Sequence, residues 1–276
     1  MFVEWWQHLP ERMNPYIIDV GFFRIHWYGL MYVVAAAVVY LLVSYRIRRR
    51  EIPFTSAVIL DAIFWGVLGL FIGARIGYVL IYNAAYFFRH PLEIIGFSLD
   101  GGFHLVGFAG MSYHGGLIGA TIAIGLFLRS RRINFWDFSD ALIPALPLGY
   151  TFGRLGNFIN GELYGRETTS PLGMYFPGAS GTLRHPSQLY EAVLEGILIF
   201  IILWFVRNAP KLRGTLFGWY IILYAATRFV VEYWREPDTH LGLILGPFSM
   251  GQVLSILMLI TGVVMVAIRI DKSKWV

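Results

Sequence analysis

Gly153–Arg166 reads GRLGNFINGELYGR, with two Arg, two Asn, a Glu and four Gly in fourteen positions. The stretch follows an apolar segment. Each unpaired polar group in hydrocarbon is expensive, so a lipid-facing helix excludes this composition. These residues either face a protein-lined cavity or sit where the chain leaves the bilayer. Both readings put a polar site at one face of a membrane.

Around that stretch the 276-residue chain is 57% hydrophobic and only 14% charged. A soluble domain carries about a quarter charged residues, so the composition points to a polytopic membrane protein. The length holds several spans of about twenty residues. The net charge of +5 is modest and no dense basic patch is interleaved with aromatics, so nucleic acid is not an expected partner. Cysteine is absent, which excludes disulfides, thiolate metal sites and a cysteine nucleophile from this chain. Any thiol chemistry would use a substrate's thiol. Residues 1–10 are acidic and aromatic, unlike a cleavable signal peptide, and Trp5 and Trp6 suit a headgroup region.

Seven apolar segments predict an all-α protein with seven transmembrane helices, at 27–45, 57–81, 114–128, 138–159, 189–206, 215–233 and 250–268. Gly69, Gly73 and Gly77 form a small-residue ridge suited to close helix contact. Pro144, Pro147 and Gly149 punctuate the fourth segment, as tolerated where a cavity or neighbouring helices satisfy freed backbone groups. The stretch 82–112 is mixed and Gly-rich, and reads as a loop region with a short interfacial helix. The polar insertion 162–188 reads as a small cap on a single integral membrane domain, 1–276. No internal repeat is found, which weakens an inverted-repeat transporter.

Basic residues follow spans one, three, five and seven: Arg46, Arg48, Arg49, Arg50; Arg129, Arg131, Arg132; Arg207, Lys211, Arg213; Arg269, Lys272, Lys274. The positive-inside rule then places the N-terminus outside and the C-terminus in the cytoplasm.

On that topology the ionisable groups collect at one level. His26 and Tyr28 open span one, His114 opens span three, and Arg154, Asn157 and Glu162 close span four. Glu191 opens span five, and Arg228 and Glu232 lie in the outward half of span six. Arg154 and Asn157 are three apart and share a helix face, and an Arg fork suits a phosphate. Arg228 and Glu232 are four apart. They form either a ligand-binding pair or a neutralised structural one. His114, beside Gly115 and Gly116, serves as a general base or binds loop carbonyls, and His26 alone reads as interfacial. Arg75 is expected to pair with Asp61 or Glu191 in a structural role. No His, Asp and Glu grouping has metal-site spacing. Besides an enzyme acting on an anionic lipid, these residues would also serve a transporter that binds one.

The motifs HWYG at 26–29, SYHGG at 112–116, GRLGNFINGELYGR at 153–166, HPSQLYE at 185–191, RFVVEYWREP at 228–237 and SMGQ at 249–252 together resemble the bacterial prolipoprotein diacylglyceryl transferase family. The resemblance spans most of the chain. It implies an inner-membrane enzyme, without cofactor or metal, with seven helices and periplasmic arm and head elements at 82–112 and 162–188. Its substrates would be phosphatidylglycerol and lipobox-containing prolipoproteins. The diacylglyceryl group would pass to the lipobox thiol, giving a thioether and glycerol-1-phosphate. The resemblance implies His114 as base, Arg154 and Arg228 on the phosphate, Asn157 orienting the headgroup, and Glu162 and Glu232 fixing the arginines. His26, Tyr28, Gly165, Tyr190, Glu191 and Arg235 would line the substrate site of a protein expected to be monomeric.

Overall fold

Where no water reaches the backbone, every N–H and C=O must be satisfied within its own segment, so long apolar runs become long helices. The computed structural model describes residues 2–20, 24–99, 101–105, 110–236, 243–245 and 248–273. Residues 100 and 106–109 of the stretch 82–112, Pro237 of the motif at 228–237, and Lys274 lie outside these residues. The described helices are α1 (Phe2–Gln7), α2 (Trp27–Arg48), α3 (Ser56–Tyr82), α4 (Ala84–Arg89), α5 (Tyr113–Ser130), α6 (Phe135–Leu142), α7 (Leu146–Ile159), α8 (Ser187–Val206), α9 (Leu216–Val231) and α10 (Met250–Ser273).

Four of them are long and apolar enough to cross a membrane: Trp27–Arg48, Ser56–Ile81, Ser187–Val206 and Met250–Ile270. His114–Ser130 and Leu216–Val231 are shorter and also apolar. The outward side chains of the long helices are large and hydrophobic, with Ile81 70% and Phe205 82% exposed. Such a surface suits lipid rather than water. The chain is a helical, polytopic membrane protein.

Two expectations change. The segment 138–159 is not one helix. It breaks between Leu142 and Leu146, where Pro144 cannot donate a helical hydrogen bond and Ala145 N–H turns back to the Leu142 carbonyl. The 14 residues of α7 rise only about 21 Å. The fold is also not purely α. The described residues include four two-stranded antiparallel ribbons: Tyr16–Asp19 with Arg24–His26, Phe97–Ser98 with His104–Leu105, Met174–Tyr175 with Leu183–Arg184, and Leu243–Leu245 with Phe248–Ser249.

The chain forms two compact units, one of Met1–Ile52 with Trp136–Val276, the other Pro53–Phe135. In the second, the glycine ridge of α3 meets glycines of α5. A Cβ on Gly77 would lie 2.8 Å from the Gly115 Cα, and one on Gly73 would lie 2.7 Å from the Gly119 Cα. Only hydrogen at these positions permits that backbone approach. Arg75, expected to pair with Asp61 or Glu191, is anchored by backbone carbonyls. Its guanidinium bonds the carbonyls of Ile94 (2.9 Å), Glu93 (2.5 Å) and Gly110 (3.2 Å), which ties the following loop to α3. Asp61 instead meets Arg131 at 3.1 Å.

In the first unit, α7 packs on α2 and on α8, and α9 packs on α10. Arg46, one of the basic residues that follow span one, is 2% exposed and donates to the carbonyls of Asp140 and Ala141, both at 2.7 Å. The insertion 162–188 packs its Met174, Phe176 and Ala179 with Phe158 of α7 in one apolar cluster. Trp6 and Leu9 of the N-terminal segment cover that cluster, and the Trp6 indole donates to the Leu172 carbonyl at 3.2 Å.

Candidate active site

Thr151 of α7 sits against α8 so closely that any side chain on Gly196 would strike its hydroxyl. That contact aligns the polar face of α7 with the start of α8. Here α8 widens into a π-helical segment over Ala192–Leu198, a feature that recurs at functional sites. Glu191 stands just before the segment and Glu195 within it. They are 0% and 1% exposed, and both meet α7 residues.

Glu191 is the hub. Its Oε2 lies 2.7 Å from Arg154 Nε, and its Oε1 lies 3.2 Å from Arg235 Nη1 and 3.6 Å from Arg228 Nη1. Arg154 Nε donates to the Tyr150 hydroxyl at 2.6 Å, and Nη1 donates to Asn157 Oδ1 at 3.3 Å. The Tyr150 hydroxyl donates in turn to Glu195. Arg228 Nη2 lies 3.1 Å from Glu232 Oε2, the i,i+4 pair read from the sequence. Three arginines and three carboxylates thus share one pocket of α7, α8 and the end of α9. Opposed in this way the charges balance, as buried charges must. The arginines are still 15–20% exposed while the Glu191 side chain is 0% exposed. The cationic groups therefore form the accessible side of the cluster.

Two short motifs prove to be supports. Ser249 Oγ donates to Glu232 Oε1 at 2.9 Å, and a side chain on Gly251 would collide with that carboxylate. The Ser249 N–H is held by Gln252 Oε1 at 3.1 Å. At the other end of α7, Asn157 Nδ2 donates to Glu162 Oε1 at 2.9 Å, so Glu162 holds Asn157 rather than an arginine. Gln188 Nε2 donates to the Glu162 carbonyl at 2.6 Å and Ser187 to the Leu163 carbonyl at 2.9 Å. These bonds pin the insertion to α8. Gly165 bridges to Arg235 through the backbone, and a Cβ there would strike the Trp234 carbonyl. Tyr190 lies 3.2 Å from His185 Nδ1 and packs edge-on against Trp234. Burial pushes the His185 imidazole below the ordinary histidine range.

His26 and Tyr28 lie outside the arginine cluster. They line an open groove of about 660 Å³ with Arg24, Leu30, Val33 and Asn160. The Tyr28 ring packs close to Gly156 of α7 and its hydroxyl meets Tyr32 at 2.7 Å. His114 belongs to the other unit. It stands exposed in the first turn of α5, which Ser112 caps by accepting from the Gly115 N–H at 3.2 Å.

Sequence reasoning missed Tyr150 and Glu195. Both carried a readable signal. Tyr150 is four before Arg154 and so on its helix face, and Glu195 is an acid inside an apolar run, which marks function by default.

A family model described as prolipoprotein diacylglyceryl transferase matches residues 15–268. The phosphatidylglycerol–prolipoprotein diacylglyceryl transferase of Chlorobaculum tepidum is 53% identical over 266 residues, covering 95% of this chain and 92% of the relative. The enzymes so named from Bordetella avium and Campylobacter jejuni are 45% and 41% identical. They cover 95% and 98% of this chain, and 97% and 99% of their own.

Proposed function

This chain belongs to the prolipoprotein diacylglyceryl transferase family, and on that premise we propose how its residues carry out the reaction. The protein is a membrane-embedded transferase. It moves the sn-1,2-diacylglyceryl group of phosphatidylglycerol to the thiol of a prolipoprotein lipobox cysteine, the first step of lipoprotein maturation. The sulfur attacks the glycerol carbon bonded to the phosphate oxygen, that C–O bond breaks, and sn-glycerol-1-phosphate leaves with the bonding electron pair. The thiol proton goes to a base.

The observation that carries the assignment of roles is the convergence of Arg154 and Arg228 on one buried carboxylate. Glu191 and Glu232 hold the guanidinium groups by their inner edges. Their partly exposed sides remain directed at an anionic ligand. Pre-positioned positive charge stabilises a leaving group whose charge grows in the transition state. Arg154 and Arg228 take the phosphate, Asn157 orients the glycerol headgroup, and Arg235, Gly165 and Tyr190 frame the site. The groove of His26 and Tyr28 accepts the lipid beside α7. His114 takes the thiol proton; an imidazole is matched to a thiol near neutral pH.

The remaining features of this reading are seven membrane crossings with the N-terminus periplasmic and the C-terminus cytoplasmic, and an inner-membrane protein working as a monomer. The stretch 82–112 forms a periplasmic arm and 162–188 a periplasmic head. The broken helix pair α6–α7 makes the fourth crossing, with its active end at the periplasmic face. Cysteine labelling tests this topology: single cysteines introduced beside Glu167 and beside Arg131 should react with an impermeant reagent from opposite sides. Labelling of both from one side would overturn it.

A further inference from the structure

The reaction just described gives no part to Tyr150 or Glu195, although both are polar groups turned into the middle of the site. Their contacts form a chain. Arg154 Nε donates to the Tyr150 hydroxyl at 2.6 Å, that hydroxyl donates to Glu195 Oε2, and Glu195 Oε1 lies 3.7 Å from Arg228 Nη1. The chain gives the two arginines a second connection besides Glu191, whose Oε2 also lies 3.2 Å from the Tyr150 hydroxyl. We propose that Tyr150 and Glu195 are positioning residues that lock Arg154 and Arg228 into a single phosphate receiver. The inference rests on the reading that these arginines hold the phosphate.

Three observations favour this over simple charge neutralisation. Glu191 already lies within ion-pair distance of both arginines, so Glu195 adds a second link between them and not their first. Glu195 is also poorly satisfied as a purely structural acid. Its Oε1 is buried and makes no hydrogen bond among the described residues, and neither does Arg228 Nη1 facing it. Burying a charge on those terms is costly, and an apolar residue would fit the surrounding run at no such cost. Finally, Glu195 sits inside the π-helical turn, the one part of α8 that gives up regular α-helical bonding. The widened turn brings Glu195 to Tyr150 while Glu191 meets Arg154 one turn earlier.

A phosphate approaching from the exposed side pulls on both guanidinium groups. With Tyr150 and Glu195 behind them, the two respond together and keep their spacing as charge builds on the departing oxygen. Without that backing each arginine still binds the lipid, but the pair meets the transition state out of register. The effect therefore falls on kcat more than on KM.

The test uses the full-length protein in phosphatidylglycerol nanodiscs with a lipobox peptide, measuring kcat, KM for the lipid and thermal unfolding. The variants are Tyr150→Phe, Glu195→Gln and the two combined. Each single change should lower kcat about tenfold while KM stays within about twofold. The Tyr150→Phe midpoint should stay within a few degrees of wild type, whereas Glu195→Gln, which leaves three arginines sharing two carboxylates, should lower it. The double variant should lose no more than the worse single, because both cuts sever one chain. Independent, multiplying losses would overturn the proposal, as would unchanged kcat or losses that follow folded yield. Tyr150→Phe removes one hydroxyl and settles the matter alone should Glu195→Gln not fold. If wild type turns over and Arg154→Ala does not, yet Tyr150→Phe is normal, only this inference falls. No adduct from wild type overturns the transferase reading and this inference with it.

Discussion

Glu191 Oε2 lies 2.7 Å from Arg154 Nε, and the Glu191 side chain is wholly buried. The other oxygen of the same carboxylate meets Arg235 and faces Arg228. One acid therefore fixes the position of three bases contributed by two separate parts of the chain. Its neutralisation should be felt twice, in the fold and in the chemistry.

Glu191→Gln leaves three arginines sharing two carboxylates. Breaking one partner of a buried ion pair costs roughly 3–5 kcal/mol. Thermal unfolding in detergent should report a clear drop in midpoint, and transfer should fall more than about a hundredfold. A variant with wild-type stability and turnover would remove Glu191 from the centre of the account.

Arg154→Ala and Arg228→Ala should each abolish transfer, and Arg154→Lys should restore little. An ammonium keeps the charge but lacks the planar fork that reaches Tyr150, Asn157 and a phosphate at once. Turnover measured in native membranes checks this. Near-normal activity in Arg154→Lys would show that charge alone suffices.

His114→Gln should reduce transfer by about a hundredfold or more while leaving phosphatidylglycerol binding intact, the signature of a lost base. If the arginine field itself lowers the thiol pKa, the variant keeps substantial activity and its pH dependence. Lipid binding and turnover measured on the same preparation distinguish the two outcomes.

Much of this site was legible beforehand. The Arg228–Glu232 and Arg154–Asn157 pairs follow from helical spacing, and the glycine ridge of α3 from its four-residue period. The glycine ridge pairs as expected, with Gly73 and Gly77 against Gly115 and Gly119. Long apolar helices were equally plain, because hydrocarbon permits few alternatives for such runs. What stayed hidden depends on tertiary context. Glu162 turned to Asn157, and Arg75 to backbone carbonyls, because partners far apart in sequence are chosen by packing and not by charge type. The break at Pro144 was flagged by composition, yet its consequence, a short α7 whose end carries the site, needed the neighbouring helices to be seen. The π segment of α8 has no residue signature in the sequence.

Gly73→Leu should disrupt the α3–α5 contact outright, since even a Cβ there would fall well inside contact distance of the Gly115 carbonyl and 2.7 Å from the Gly119 Cα. Overpacking of this kind costs at least about 1–3 kcal/mol. Folded yield by size exclusion should fall sharply, while Gly125→Ala, with open space around it, should behave as wild type. Equal yields for the two variants would contradict the packing described.

Glu51 makes a pH-dependent contribution. Burial pushes its carboxyl up, but hydrogen bonds from Arg207 and Asn208 outweigh this and hold it below the ordinary range. A lowered folded-state value means the stabilisation is present above the unfolded value of about 4.3 and is lost as pH falls through the folded one. Glu51→Gln should lower the unfolding midpoint at pH 7, with the gap to wild type closing below about pH 4. A gap that persists unchanged at low pH would mean that the Glu51 charge is not its source.

The most direct measurement is the mass of a lipobox peptide incubated with the protein in phosphatidylglycerol liposomes. The account predicts a gain of one diacylglyceryl unit, absent when the peptide's cysteine is serine and absent with Arg154→Ala. No adduct from folded wild-type protein across several lipobox peptides would contradict it.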